Sequence, residues 1–413
     1  MMPFWKDPYA WLLAWLKNLL ASWGATDAGV HFWMSLLGAL ILGVLPLLIT
    51  IWLIWAERKL LGRVQDRIGP NRVGPFGFFQ TIADMGKIFT KEFITPIGAD
   101  WLPYNIAPIL SVAAVLLLWG VIPFTSTMYG VDFSIGLLYL VAVGALGEMA
   151  IILAGWSSNN KYALMAAFRA VAQLVSYEVP LVVTMLIPAM LAGSLSLQAI
   201  VAGQAQVWNV FVAPLAAFIF FMASIAEVGR APFDLLEAES ELVSGFNIEY
   251  SGLKFGFYYV ADFLHAFTVA LLFATLFLGG WQGPWVDQIP FLGFVWYLIK
   301  TVIVWFAGLM LRGSLPRFRI DQMMNLAWKR YTPLAIASII LTALVHKLVV
   351  GQPVWLYVAI MFVSNIILWA VLDWWLGRFQ PRRPRPEVAD RSRPVARPPE
   401  TPAPSMTETG VQS

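Results

Sequence analysis

The chain has 413 residues, 59% of them hydrophobic and 12% charged, with a formal net charge of +3. Its mean hydropathy of +0.72 excludes a water-soluble globule, because no fold of this size hides so much apolar surface. It has no cysteine and only three histidines, so thiolate-held iron–sulfur clusters are excluded as well. The opening stretch, Tyr9–Trp23, is apolar and Trp-rich but carries Lys17 midway. It predicts an interfacial amphipathic helix within an external extension over residues 1–32. A charged leader and a small-residue cleavage site are not evident, so no cleavable signal is expected.

Apolar runs of about 20 residues, enough to cross roughly 30 Å of hydrocarbon as helix, then recur to residue 376. They predict nine spans: Trp33–Trp55, Tyr104–Phe124, Ile135–Trp156, Ala170–Leu191, Val210–Ala226, Phe255–Leu278, Phe291–Leu311, Tyr331–Leu348 and Val354–Leu376. The expected fold is all-α, a polytopic membrane helical bundle with long cytoplasmic loops. Lys and Arg crowd alternate connections, with Arg58, Lys59, Arg63, Arg67, Arg72, Lys87 and Lys91 in the first. The opposite set holds only Lys6, Lys17 and Lys347. That bias predicts an external N-terminus and a cytoplasmic C-terminus.

The connection Glu57–Trp101 is the longest between spans, and loops of that length are usually functional. Leu60, Leu61 and Val64 with the neighbouring basic residues predict a short amphipathic helix at the interface. Gly69, Pro70, Gly74, Pro75 and Gly77 then impose a fixed irregular path ahead of Phe78 and Phe79. A second helix, Thr81–Phe93, brings Asp84, Lys87 and Lys91 close to one face. The loop reads as a docking surface for a soluble partner beside an opening for a lipid-soluble ligand, or as a basic loop that only sets topology. IGPNRVGPFG is not a phosphate loop, since it lacks the Lys-Ser/Thr ending.

Between the fifth and sixth spans lies AEVGRAPFDLLEAESELVSGFNIEYSGLK, Ala226–Lys254, with Glu227, Asp234, Glu237, Glu239, Glu241 and Glu249 against Arg230 and Lys254. A charge near the bilayer costs roughly 2.5 kcal/mol or more unless it pairs, protonates or lines a cavity. Pro232 suits a helix start and Gly245 a stop, placing Asp234, Glu237 and Glu241 on one face. Such neighbours disfavour full ionisation and titrate as a group, which suits proton handling. Glu148 lies within the third span, Glu178 in the fourth, and Asp262 and His265 one turn apart in the sixth. Lys300, Tyr139 and Tyr177 are further candidates, and Pro180 and Pro188 are expected to break the fourth helix and admit water. One intramembrane Glu is often only a hydrogen-bonded bundle residue, whereas several beside an acidic loop favour a hydrated proton path. His265 and His346 fall on different spans, which leaves a bis-histidine haem open beside the reading of each as a hydrogen-bonded core residue. Residues 377–413, rich in Pro and Arg, predict a disordered cytoplasmic tail.

The motifs ERKLLGRVQDRIGPNRVGPFG (Glu57–Gly77), AGWSSNNKYALMAAFRAVAQLVSYEV (Ala154–Val179) and AEVGRAPFDLLEAESELVSGFNIEYSGLKF (Ala226–Phe255) carry a family resemblance. FLGGWQGP (Phe277–Pro284) and LRGSLPRFRIDQ (Leu311–Gln322) add to it. Together they resemble the family of the quinone-site membrane subunit of respiratory complex I, the NADH–quinone oxidoreductase, over about Trp33–Leu376. The resemblance implies a subunit of a proton-translocating enzyme in the inner (cytoplasmic) membrane, with ubiquinone or menaquinone as substrate. It implies no metal, haem, flavin or iron–sulfur cluster in this chain. Electrons come from a peripheral-arm partner with the terminal iron–sulfur cluster, alongside a quinone-site neighbour and adjacent membrane subunits. Lipid is a further partner and nucleic acid is not.

By that resemblance Glu57, Arg58, Arg63, Arg67, Arg72, Asp84, Lys87 and Arg230 belong to the quinone chamber or its charged rim, in a loop over residues 57–101. Glu178, Glu227, Asp234, Glu237, Glu239 and Glu241 match the start of a polar path, the last five within an acidic loop over residues 227–254. Asp262 stands where several relatives carry Glu, and Glu148 is displaced by about one helical turn, so these two match less closely. Other readings keep some of these features: a hydrogenase or a ferredoxin- or F420-linked complex with a homologous subunit, a free-standing proton or sodium antiporter, or a scaffold that anchors a peripheral arm.

Overall fold

The structure is a computed structural model that describes residues 7–23, 26–235, 243 and 245–378. It is all-helical among these residues, and eight helices are long and apolar enough to cross a membrane. They are α2 (Asp27–Val64), α4 (Trp101–Trp119), α5 (Gly136–Ser157), α6 (Lys161–Ala192), α10 (Gly252–Phe277), α11 (Pro290–Ser314), α13 (Thr332–Val349, preceded by α12, Ile320–Leu326) and α14 (Val354–Arg378). The interfacial stretch forms α1 (Pro8–Ser22), started by Asp7, whose carboxylate accepts from the Ala10 amide.

The expected fifth span departs from a single helix. Ala213 leaves the helical region, Pro214 lacks an amide hydrogen, and the segment divides into α8 (Asn209–Val212) and α9 (Pro214–Val228). The freed carbonyl of Val212 accepts from Asn365 Nδ2 of α14 at 3.3 Å, so the break stays satisfied inside the bundle. A short α7 (Leu197–Gly203) precedes it. Pro180 and Pro188 do the reverse of what they predict, since α6 runs unbroken through both for 32 residues. Packing of a long helix against its neighbours tolerates the single amide each proline removes.

The predicted interfacial helix around Leu60 is not separate either. AERKLLGRV contains no strong breaker, so α2 continues to Val64 for 38 residues, about 57 Å at 1.5 Å per residue. That is well beyond a hydrocarbon core of about 30 Å, and the helix carries its last turns on past the end of the apolar run. Lys59 and Trp55 then gather the Gly/Pro loop onto them. Lys59 Nζ donates to the Pro70 carbonyl at 2.8 Å and the Phe76 carbonyl at 3.2 Å, and Trp55 Nε1 donates to the latter at 3.2 Å. At Gly77 the φ of +77° and the Pro70 carbonyl carbon and oxygen only 2.3 Å from where a Cβ would stand demand glycine. α3 (Gln80–Thr90) follows, close to its expected bounds.

α10 is the central helix, with 72% of its apolar window buried against 11% for α14. Helices in lipid gain little from hiding apolar surface and associate through close van der Waals packing of small residues. α5 and α6 meet in that way through Ala154 and Gly155 against Ala163 and Ala167, where a Cβ on Gly155 would lie 2.3 Å from that of Ala167. Lys300 of α11, a polar-site candidate by sequence, is spent on structure. Its Nζ donates to the carbonyls of Leu278, Gly280 and Gln282 at 2.6, 3.0 and 2.6 Å and lies over the Trp208 ring.

Candidate functional site

The polar interior is built where α2, α9, α10 and α11 converge. Glu57, near the end of α2, is 2% exposed and accepts from Arg230 Nη1 at 2.7 Å. Arg312, from the last turn of α11, donates to the other Glu57 oxygen. Arg230 Nη2 reaches Asp262 Oδ2 of α10 at 3.2 Å, and its guanidinium lies 4.9 Å from the Phe263 ring centroid. A planar fork with five donors can hold two carboxylates at once, which a lysine cannot do. Burial by itself would lower the pKa of Arg230, but the charges of Asp262 and Glu57 outweigh it and raise the value.

Three small cavities lead inward from this cluster, each sharing walls with the next. The first, about 50 Å³, is lined by Arg230, Asp234, Asp262, Arg312 and Tyr258 among others. The second, about 100 Å³, shares Asp262 and Tyr258 and adds Glu148, Glu227 and His265. The third, about 40 Å³, keeps Glu148, Glu227 and His265 and adds Glu178. His265 Nε2 stands 3.8 Å from Glu227 Oε1. Acids from α5, α6, α9 and α10 therefore face one another across spaces wide enough for single waters. An acid in such a place can hold or release a proton without facing lipid.

Gln173 of α6 sets the register of this assembly. It is buried, and its Nε2 donates to the carbonyls of Ala226 at 2.6 Å and Phe233 at 2.8 Å. One side chain thus ties the helix bearing Glu178 to the residue before Glu227 and to the residue before Asp234. Phe233 and Leu235 are fully buried, which pins the entry of the acidic loop. The predicted helix start at Pro232 is corrected here, because residues 230–235 form a turn rather than a helix. The Pro232 carbonyl accepts from the Phe318 amide and the Arg230 carbonyl from the Phe233 amide, pairings that a helix starting there would not make. Glu237, Glu239 and Glu241 lie outside the described residues, as does the tail beyond Arg378. Glu249 is drawn off elsewhere, accepting from Asn160 Nδ2 at 2.6 Å.

The first loop divides its charges. Arg58 pairs with Asp84, joining the end of α2 to α3. Partial burial pushes the Asp84 carboxyl up, but hydrogen bonds from Arg58 and Gln80 and the charges of Arg58 and Lys87 outweigh it, holding it below its ordinary value of 3.8. The stabilisation this depressed group supplies is therefore complete above that ordinary value and is lost only as pH falls through the lower folded-state value. Asp84→Asn should speed amide exchange across α3 at pH 7 by about two- to five-fold, the scale of a half-exposed pair. Lowering the pH from 7 to 5 in the parent chain should leave α3 exchange, corrected for intrinsic rate, unchanged. Arg63, Arg67, Arg72 and Lys87 are all exposed.

Several expected members do not join the cavities. The Tyr177 hydroxyl donates to the Met323 carbonyl at 3.1 Å, and that of Tyr139 to the Leu117 carbonyl at 3.4 Å. His346 pairs with the Tyr357 hydroxyl at 2.8 Å, away from His265 and its Glu227 neighbour. Among the described residues no group of three or more His, Asp or Glu is placed to hold a metal ion. Sequence reasoning missed Arg312, which reads only as a topology charge at a span end, and also Tyr258 and Gln173. A Gln within the apolar stretch AVAQLV, residues 170–175, is the one available signal.

A multi-pass membrane bundle with an internal arginine–carboxylate cluster that opens onto acid-lined cavities is the class of protein these features define. The family described as NADH dehydrogenase matches residues 37–343. The NADH-quinone oxidoreductase H subunit of Geobacillus kaustophilus (strain HTA426) is 46% identical over 311 residues, 75% of this chain and 92% of that protein. Its counterpart in Dehalococcoides mccartyi (strain CBDB1) is 45% identical over 314 residues, 76% of this chain and 87% of the relative. That of Geobacillus sp. (strain WCH70) is 43% identical over 335 residues, 81% and 98% respectively. The chain belongs to this family of NADH-quinone oxidoreductase H subunits.

Proposed function

We propose that the chain forms part of the quinone-binding chamber, and the beginning of the proton path, in a proton-translocating NADH:quinone oxidoreductase of the inner (cytoplasmic) membrane. The observation that carries this reading is the run of adjoining cavities from Asp234 and Arg230 past Asp262, Glu227 and Glu148 to Glu178. The names of the relatives supply the quinone and the multi-subunit setting. The chain lies with its N-terminus outside and its C-terminus in the cytoplasm. The loop over residues 57–101 faces the peripheral arm.

Electrons reach the quinone from a partner's iron–sulfur cluster. Reduction to the quinol takes two electrons and two protons, and the charge that appears before the protons arrive acts on the nearest ionisable groups. Arg58, Arg63, Arg67, Arg72 and Lys87, with Asp84, form the charged rim through which the headgroup passes. Glu57 and Arg230 lie at its inner end, where a change of charge is felt through a low local dielectric. Glu237, Glu239 and Glu241 exchange protons in response, and Asp234, Asp262, Glu227, Glu148 and Glu178 pass them into the membrane. Arg230 holds Asp262 and Glu57 together and so connects rim and path.

Photoaffinity labelling of the assembled enzyme with a quinone analogue tests the chamber. Label within residues 57–100, competed by excess quinone, is the expected result. Label confined to other subunits would reduce this chain to an anchor.

A further inference from the structure

Neighbouring charges at the end of α2 go to different places. Glu57 reaches Arg230 and Arg312, whereas Arg58 pairs with Asp84 of α3. The Arg58 side chain is 38% exposed, and a guanidinium held by one carboxylate alone is free to swing about it. A second contact fixes the plane of the fork. Tyr259 of α10 supplies that contact, its hydroxyl accepting from the Arg58 side chain. Helix packing brings the three residues together. Ile88 of α3 stands over Gly256 of α10, where a Cβ would lie 3.0 Å from the Ile88 Cγ2. Asp84 is one turn from Ile88 on α3, and Tyr259 is about one turn from Gly256 on α10.

The Tyr259 ring is itself held in place. Its centroid lies 4.7 Å from that of Phe263 and 6.3 Å from that of Phe255, the latter nearly parallel to it. Aromatic pairs at such separations attract one another beyond the area they bury. Phe263 in turn carries the Arg230 guanidinium, 4.9 Å from its ring centroid. Tyr259 also lines the first of the small cavities, together with Arg230, Asp234, Asp262 and Arg312. Asp262 and Phe263 follow it by three and four residues, on the same face of α10. Contacts therefore run without a gap from Asp84 through Arg58, Tyr259 and Phe263 to Arg230. The hydroxyl is the one polar atom that α10 contributes to the Arg58 end of this chain.

We propose that Tyr259 is a positioning residue for quinone capture: its hydroxyl fixes the plane of Arg58 at the rim. With one N–H given to Asp84 and another to Tyr259, the guanidinium keeps its remaining donors in a fixed direction for the carbonyl oxygens of a passing headgroup. A donor set in advance loses less freedom when the headgroup arrives, so the hydroxyl acts on affinity and not on the later chemistry. Phenylalanine at this position keeps the rings of Phe255 and Phe263 in contact and removes only the oxygen. The inference rests on reading the first loop as the rim of the quinone chamber, and the test below separates the two.

The measurement is steady-state turnover of the assembled enzyme in membranes, with NADH as donor and a short-chain benzoquinone as acceptor, normalised to the amount of complex. Tyr259→Phe should raise the KM for that quinone by about threefold or more, the scale of one partly exposed hydrogen bond. Its kcat should change by less than about twofold, the pattern left when binding alone is weakened. Arg58→Ala should raise KM by itself, and adding Tyr259→Phe to it should change KM no further, because the hydroxyl acts through the guanidinium. An unchanged KM in Tyr259→Phe overturns the inference. So does a loss confined to kcat, or a threefold rise that persists in the Arg58→Ala background. If Arg58→Ala raises KM and Tyr259→Phe does not, only the positioning role fails. If Arg58→Ala also leaves KM unaltered, the reading of the rim fails with it.

Discussion

Glutamine at Glu227 or at Glu178 will lower the number of protons moved per quinone reduced by about tenfold or more, which corresponds to ~1.4 kcal/mol or more of added transfer barrier. Glutamine fills nearly the same volume and keeps hydrogen-bonding capacity, but it cannot take up and release a proton. The two positions sit on different helices, α9 and α6, and line the same cavity beside Glu148 and His265. Removing either interrupts the same segment of the path, so the double variant should be scarcely worse than either single one. Proton uptake by inside-out vesicles, normalised to the rate of NADH-driven quinone reduction, is the measurement. Undiminished pumping in a fully assembled enzyme would show that protons travel elsewhere.

The second large effect is on integrity. Arg230→Met removes the cation that faces Glu57 and Asp262 at 2.7 and 3.2 Å. Glu57 is almost wholly buried, and breaking such a pair from one side costs about 3–5 kcal/mol because a charge is left uncompensated. Against a typical stability of about 5–15 kcal/mol, the variant should accumulate poorly and lower the unfolding temperature of whatever assembles. Arg312 still neutralises part of the Glu57 charge, so the loss should fall short of complete. Arg230→Lys keeps a charge but not the fork, and should lie between parent and Met. The double variant Glu57→Gln/Arg230→Met should be less damaged than the sum of the singles, since the two side chains interact directly. Detergent-solubilised complex, followed by thermal unfolding and by yield, distinguishes these outcomes. A Met variant as stable as the parent would mean that Arg312 alone suffices for Glu57.

Much of this site is legible in the residues themselves, for a definable reason. A carboxylate inside an apolar run is conspicuous, because lipid tolerates it only in special surroundings. Glu148, Glu178, Glu227 and Asp262 stand out on that ground alone, and the structure brings all four to adjoining cavities. The spans are legible for the same physical reason, since length and apolarity are what a bilayer demands. What misleads is local chemistry read without neighbours. Pro180 and Pro188 promise a broken α6, yet the break occurs at Ala213–Pro214 instead. Lys300, Tyr139 and Tyr177 look like members of the polar path, and each instead satisfies a backbone carbonyl. A charged or hydroxylated side chain in a span announces only that it needs a partner; it does not say which.

From its residues alone, this protein is bound to be a helical membrane bundle with acids in its interior and a rigid basic loop on one side. Those traits follow from transfer free energies and backbone chemistry, which act residue by residue. Pairing was decided only in three dimensions. That Arg230 serves Glu57 and Asp262 together, that Arg312 comes from 255 residues further along the chain to the same carboxylate, and that Gln173 clasps two separate segments depend on which helices touch. Helix contacts in lipid are chosen by close packing of small side chains such as Gly155 and Ala167, a matter of shape over many residues at once, and no single position carries it.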